Sequence, residues 1–73
     1  MTLNEFIQHY FDHQDEDLFV ATRNNPGRVG RLFGPDEITR DECMMFEVQW
    51  LDDYGIEMML ASELRYVSRP ERA

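Results

Sequence analysis

The sequence predicts a mainly β fold, a small barrel of four or five antiparallel strands preceded by one α-helix. Three observations point to it. Residues 44–60 alternate apolar and polar, break at Asp52-Asp53-Tyr54-Gly55, and alternate again, which is the period-two signature of a hairpin. Further short apolar runs recur at close spacing with turn residues between them, a pattern of small barrels and curled sheets. The chain has only 73 residues, and a flat sheet of that size would leave its edges open, so closure is expected.

Residues 2–14 read as an amphipathic helix, because Leu3, Phe6, Ile7, Tyr10 and Phe11 follow the i, i+3, i+4, i+7, i+8 spacing. Thr2 and Glu5 have the spacing of a capping box. The acidic run Asp15-Glu16-Asp17 opposes the helix dipole and should end the helix near His13 or Gln14. Residues 17–23 follow as a strand, with Leu18 and Val20 on one face and Phe19 and Ala21 on the other. Asn24-Asn25-Pro26-Gly27 is a turn. Residues 28–34 read as a second strand, in which Gly30 suggests a bend or bulge. Residues 35–42 form a polar loop.

In the strand at 44–51, Met44, Phe46, Val48 and Trp50 share one face, and Met45, Glu47, Gln49 and Leu51 share the other. Gly55 is placed where a hairpin of this loop length favours a left-handed residue. Ile56, Met58 and Leu60 of the return strand face the same way. Residues 61–64 read as a 3₁₀ turn with Ser62 as its cap, residues 65–67 as a last strand, and residues 68–73 as a polar tail. One domain spans residues 1–73, because a chain this short supports one small core and buries only about 60% of its unfolded surface.

Charge narrows the function. Fifteen acids face seven bases, for a net charge of −8. Binding to nucleic acid depends on Lys and Arg neutralising phosphates, so direct binding to DNA, RNA or anionic lipid is not expected. All seven bases are Arg, which suits planar bidentate contacts, although a GC-rich genome gives the same bias. No apolar run approaches the roughly 18 residues of a membrane span. The absence of a secretory start and the single Cys43 fit a cytoplasmic protein.

The stretches 27–34, GRVGRLFG, and 45–67, MFEVQWLDDYGIEMMLASELRYV, resemble the SH3-like small barrels, a group that includes Tudor domains, KOW modules and small barrel subunits of larger complexes. Those domains carry a Gly-led strand, G-x-V-x-x-Φ, then Φ-x-V-x-W/F-x-D-G, and a closing S-x-L-x-x-V. The matching positions are Gly27, Val29, Leu32, Phe46, Val48, Trp50, Asp53, Gly55, Ser62, Leu64 and Val67. The resemblance covers residues 17–67 and implies a barrel rather than an activity. The acidic charge departs from the basic nucleic-acid-binding members.

Several residue groups carry possible chemistry. Glu5, His9 and His13 recur every four residues on one helix stripe, and two His one turn apart can share a metal; the same stripe reads more simply as a solvated face. The acid pairs Asp36-Glu37, Asp41-Glu42 and Asp52-Asp53 lie in loops, where no carboxylate is desolvated enough to serve as a general acid. Trp50, Tyr54, Phe33 and Tyr66 could form an aromatic cage for a methylated Lys or Arg, as the Tudor likeness implies, but a small domain needs its Trp in the core. Met45, Leu51 and Met59 are expected on the face opposite Phe46 and Trp50, where an apolar patch implies a partner, self-association or cover from the helix.

The expected function is that of a non-enzymatic acidic binding module, or a small subunit of a larger complex, docking on a basic or apolar protein surface without a cofactor. The expected contacts are Met45, Leu51, Met59 and Tyr54, with Asp36, Glu37, Asp41, Glu42, Asp52 and Asp53 steering association. Homo-oligomerisation is a further possibility. One alternative is an acidic nucleic-acid mimic that inhibits a DNA- or RNA-binding protein, as phage and plasmid inhibitors do. The other is metal binding through Glu5, His9 and His13.

Overall fold

A computed structural model describes residues 2–37, 41 and 43–69. The chain opens with helix α1, Leu3–Asp12. Its start is fixed by the expected capping box. The Thr2 hydroxyl accepts from the Glu5 amide at 3.2 Å, and the Glu5 carboxylate accepts from the Thr2 amide at 3.0 Å. A helix this short is marginal alone, and its Phe6 and Ile7 are buried against the sheet. Phe6 meets the Phe46 ring edge-on at 5.5 Å and stacks on Tyr66 at 4.3 Å, while Tyr10 meets Phe46 at 5.2 Å.

Five strands follow: β1 (Leu18–Thr22), β2 (Val29–Pro35), β3 (Met45–Trp50), β4 (Ile56–Leu60) and β5 (Leu64–Val67). A 3₁₀ turn, Ala61–Glu63, joins the last two; Leu60 caps it, and Ser62 makes no capping bond. The strands form one antiparallel sheet in the order β4-β3-β2-β1-β5. The mainly β fold with one N-terminal helix is therefore as expected, but the sheet does not close into a barrel. Among the described residues no ladder joins β4 to β5.

The sheet is nevertheless strongly curled. Laid flat, its two edge strands would lie about 19 Å apart, at ~4.8 Å per strand. The chain from Leu60 to Leu64 reaches only about 14 Å. The edges converge at this corner, where the Ala61 amide bonds the Met44 carbonyl at 2.9 Å and the Arg23 amide bonds the Glu63 carbonyl at 3.0 Å. Beyond it α1 takes the place of a closing ladder, since Phe6 bridges Tyr66 of β5 and Phe46 of β3.

The core lies between α1 and the inner sheet face. It holds Phe6, Ile7, Val20, Leu32, Met44, Phe46, Val48, Trp50, Ala61 and Leu64, with no buried polar side chain among the described residues. Trp50 is 3% exposed, inside as expected, and its indole N–H donates to the Glu57 carboxylate at 2.9 Å. Gly30 is not the bulge. A Cβ there would collide with Val48 Cγ1 and sit 2.9 Å from Trp50 Cε3, so the position serves close packing. The ladder slips instead between Leu32 and Gly34. The left-handed residue of the hairpin turn is Tyr54, at φ 59°, rather than Gly55.

Candidate interaction surface

The β3–β4 hairpin has two faces of opposite fate. Register pairs Met45 with Leu60, Glu47 with Met58 and Gln49 with Ile56 on the outer side, away from α1. Met45 is 36% exposed, Ile56 57% and Met58 37%. Phe33 of β2 is also exposed and carries the Arg31 guanidinium over its ring at 5.5 Å. The outer face is thus an apolar row with Glu47 and Gln49 within it.

Met59 does not belong to that row. It pairs with Phe46 and packs against the core. The expected trio Met45, Leu51 and Met59 is therefore corrected to Met45, Ile56 and Met58. Leu51 leaves β3 at the start of the turn, half-buried, with its amide bonded to the Val29 carbonyl at 3.0 Å.

Acids border both ends of the row. At one end the Asp36 amide bonds the Met45 carbonyl at 3.0 Å, which brings the exposed Asp36 and Glu37 beside Met45. Asp41 is exposed, and its carboxylate accepts from the Cys43 amide at 2.9 Å. Glu42 lies outside the described residues. At the other end Asp52 and Asp53 hold Arg28 at 2.8 and 3.3 Å. The Arg28 guanidinium also lies 4.5 Å from the Trp50 ring centre. Its hydrogen bond holds the Asp52 carboxyl below the usual aspartate range. Tyr54, at the tip, is 71% exposed.

No local pattern marks Arg28 for this role, because its two carboxylates lie 24 and 25 residues away and become neighbours only through the β2–β3 register. A groove of about 410 Å³ was equally hidden. It lies between the start of α1 and β5, lined by Leu3, Phe6, Leu64 and Tyr66 with Arg23 and Arg65 at its rim. Its walls are some sixty residues apart, as the Tyr66 hydroxyl bond to the Phe6 carbonyl at 2.9 Å shows.

The other residue groups are dispersed. Trp50 and Tyr66 lie on the core side, whereas Phe33 and Tyr54 are exposed elsewhere, so no cage is assembled. Glu5 is engaged in the helix cap. His9 stacks on His13 at 4.1 Å and leans on Tyr66 at 4.4 Å, so the two His are half-sheltered, while Glu5 is exposed. His13 Nδ1 lies 2.9 Å from the His9 carbonyl and must donate to it. Among the described residues no three His, Cys, Asp or Glu side chains gather as metal ligands, and no helix is long and apolar enough to cross a membrane.

No protein-family model matches this chain, and no curated protein or solved structure matches it either.

Proposed function

We propose that this chain is a non-enzymatic binding module whose working surface is the outer face of β3 and β4. Its partner is a protein that presents an apolar anchor fringed by Lys or Arg. The observation that carries this reading is the row Met45, Ile56 and Met58, three exposed apolar side chains on the side of the hairpin that α1 leaves uncovered. Met fits irregular partners well, and grouped apolar side chains on a surface mark contact sites more often than scattered ones do. Asp36 and Glu37 at one end of the row, and at the other the negative charge that Asp52 and Asp53 keep beyond the single Arg28 they hold, supply the opposite charge to a basic fringe and speed encounter. The net charge of −8 acts in the same sense at longer range.

The same reading makes the sheet an SH3-like module, of the kind that serves as a small subunit of a larger complex. Support comes from the five-strand antiparallel sheet over the resembling segment and from the 3₁₀ turn where the closing Ser62-x-Leu64 motif lies.

Capture from an extract of the native host, with identification by mass spectrometry, tests the proposal when wild type is compared with Met45→Asp/Met58→Asp. The expected result is a partner held by wild type and weakened at least about tenfold by the variant, with an unchanged melting curve. A folded variant that keeps every partner at full affinity overturns it. Steep loss of affinity with salt together with competition by DNA would assign the acidic loops to nucleic-acid mimicry instead.

A further inference from the structure

We infer that β4 is an intermolecular pairing edge whose occupant is a second copy of this chain, joined β4 to β4 in antiparallel register about a two-fold axis at Met58. This goes beyond the binding reading above and does not rest on it.

The hydrogen-bond phase of the hairpin sets up the edge. The Trp50 amide bonds the Gly55 carbonyl and the Ala61 amide bonds the Met44 carbonyl, both at 2.9 Å. In an antiparallel ladder bonded and non-bonded pairs alternate, so Glu57 and Met59 turn their backbone groups toward β3. Ile56, Met58 and Leu60 turn theirs away from the sheet. Ile56, Glu57 and Met58 are consecutively exposed, which occurs in no other strand among the described residues.

This edge has none of the usual safeguards. Edge strands are ordinarily blunted by Pro, by basic side chains or by a bulge. β4 carries no Pro, Lys or Arg, and its ladder to β3 runs without a shift. Its one charge, Glu57, shares the inner side with Val48 and accepts from the Trp50 indole. The opposite edge, β5, has more such safeguards. Its Leu64 amide returns to the Ala61 carbonyl, and the strand carries the exposed Arg65.

The strand is also complementary to itself. Centring the pair on Met58 sets Ile56 of each copy against Leu60 of the other, so every outer-face neighbour across the junction is apolar. On the inner face each Glu57 meets Met59 of the other copy, and the two carboxylates do not oppose one another. Up to about six backbone hydrogen bonds form across the axis. One continuous sheet then runs through both copies, and their rows of Met45, Ile56 and Met58 merge. Each copy carries −8, so long-range repulsion opposes pairing and salt relieves it. A basic foreign strand on the same edge would show the opposite salt response.

The test uses the full chain in sedimentation equilibrium, with amide hydrogen exchange followed by NMR. The expected result is a reversible dimer that tightens severalfold between about 50 and 500 mM salt, with the Ile56, Met58 and Leu60 amides slowing as concentration rises. Met58→Pro removes only an outward-pointing donor and should weaken the dimer at least about tenfold. Met58→Lys, which keeps the backbone but sets like charges across the axis, carries the same test should the Pro variant not fold. A chain that stays monomeric to millimolar concentration, a dimer whose three amides stay fast, or a dimer indifferent to both variants overturns the inference. Because these measurements need only the purified chain, their failure leaves the capture experiment on the outer face untouched.

Discussion

The two faces of the β3–β4 hairpin are made of similar residues and lie in opposite environments. Phe46, Val48 and Met59 point inward and pack under α1, while Met45, Met58 and Ile56 point outward and are exposed. Hydrophobicity alone does not separate the two sets. What separates them is pleat parity and the presence of a single helix, which can cover one face only. Among the described residues no element packs over the outer face, and its apolar side chains stay exposed.

The largest expected effect would break that contrast at adjacent residues. Phe46 is fully buried and touches both Phe6 and Tyr10. Phe46→Ala should cost about 3–5 kcal/mol, and a domain of this size holds only about 5 kcal/mol, so the variant should be largely unfolded at 25 °C. Met45→Ala, one residue away, should change stability by less than about 0.5 kcal/mol. Urea unfolding followed by the fluorescence of the single Trp50 measures both. Equal costs at the two positions would mean that the faces are not distinguished.

Next in size is a pair of glycines. Gly30 lies under Trp50 and Val48, where a methyl group has no room. Gly30→Ala should cost about 1–3 kcal/mol through overpacking. At Gly27, in the turn, an added Cβ meets only Asn25 Oδ1 at 3.8 Å, so Gly27→Ala should be nearly neutral. Parallel melting curves of the two variants read the difference.

These glycines also mark how far the sequence could be read. The helix, its cap, all five strands and the 3₁₀ turn were legible, because each rests on local periodicity or capping chemistry. The inward set Phe46, Val48 and Trp50 was legible for the same reason. Met59 was not. By periodicity alone Ile56, Met58 and Leu60 form the more apolar side of β4, because the other side carries Glu57 beside Met59; the register of Trp50 with Gly55 nevertheless turns Glu57 and Met59 inward, where the Trp50 indole takes up the Glu57 carboxylate. A glycine inside a strand reads locally as a bulge, whereas the close approach of β3 that Gly30 permits is a long-range fact. Barrel closure was expected from the cost of open edges; that α1 would fill the opening depends on Phe6 finding Tyr66 sixty residues on.

A smaller effect belongs to the helix side of the inner face. Tyr66→Phe removes the hydroxyl that donates to the Phe6 carbonyl and should cost about 1 kcal/mol. Burial raises the Tyr66 phenol above the ordinary tyrosine range. The neutral form is therefore favoured in the folded state. Its contribution is complete below the unfolded tyrosine pKa and is lost as pH climbs from there toward the folded value. Stability of wild type should thus fall on the alkaline side, and Tyr66→Phe should fall less steeply. Identical alkaline slopes would remove Tyr66 from that account.

The smallest effect tests where the two faces meet. Arg28 is in contact with both sides, its guanidinium over the buried Trp50 ring and its N–H groups on the rim carboxylates of Asp52 and Asp53. The ion pair is solvent-exposed and salt screens it, so its share of stability is slight compared with that of Tyr66. Its sign is nonetheless fixed. Asp52 titrates lower in the folded chain than unfolded, chiefly through the Arg28 hydrogen bond. The pair's contribution is present above the unfolded aspartate pKa and is lost as pH falls through the depressed folded value. Arg28→Gln should flatten stability against pH in that acidic window and leave the neutral plateau nearly unchanged. High salt should mimic the substitution in wild type and act less in the variant, where the exposed Arg31–Asp17 pair still responds. A response to salt that survives Arg28→Gln in full would move the acid dependence to the remaining carboxylates, and the rim at Asp52 would then be free to meet a basic partner directly.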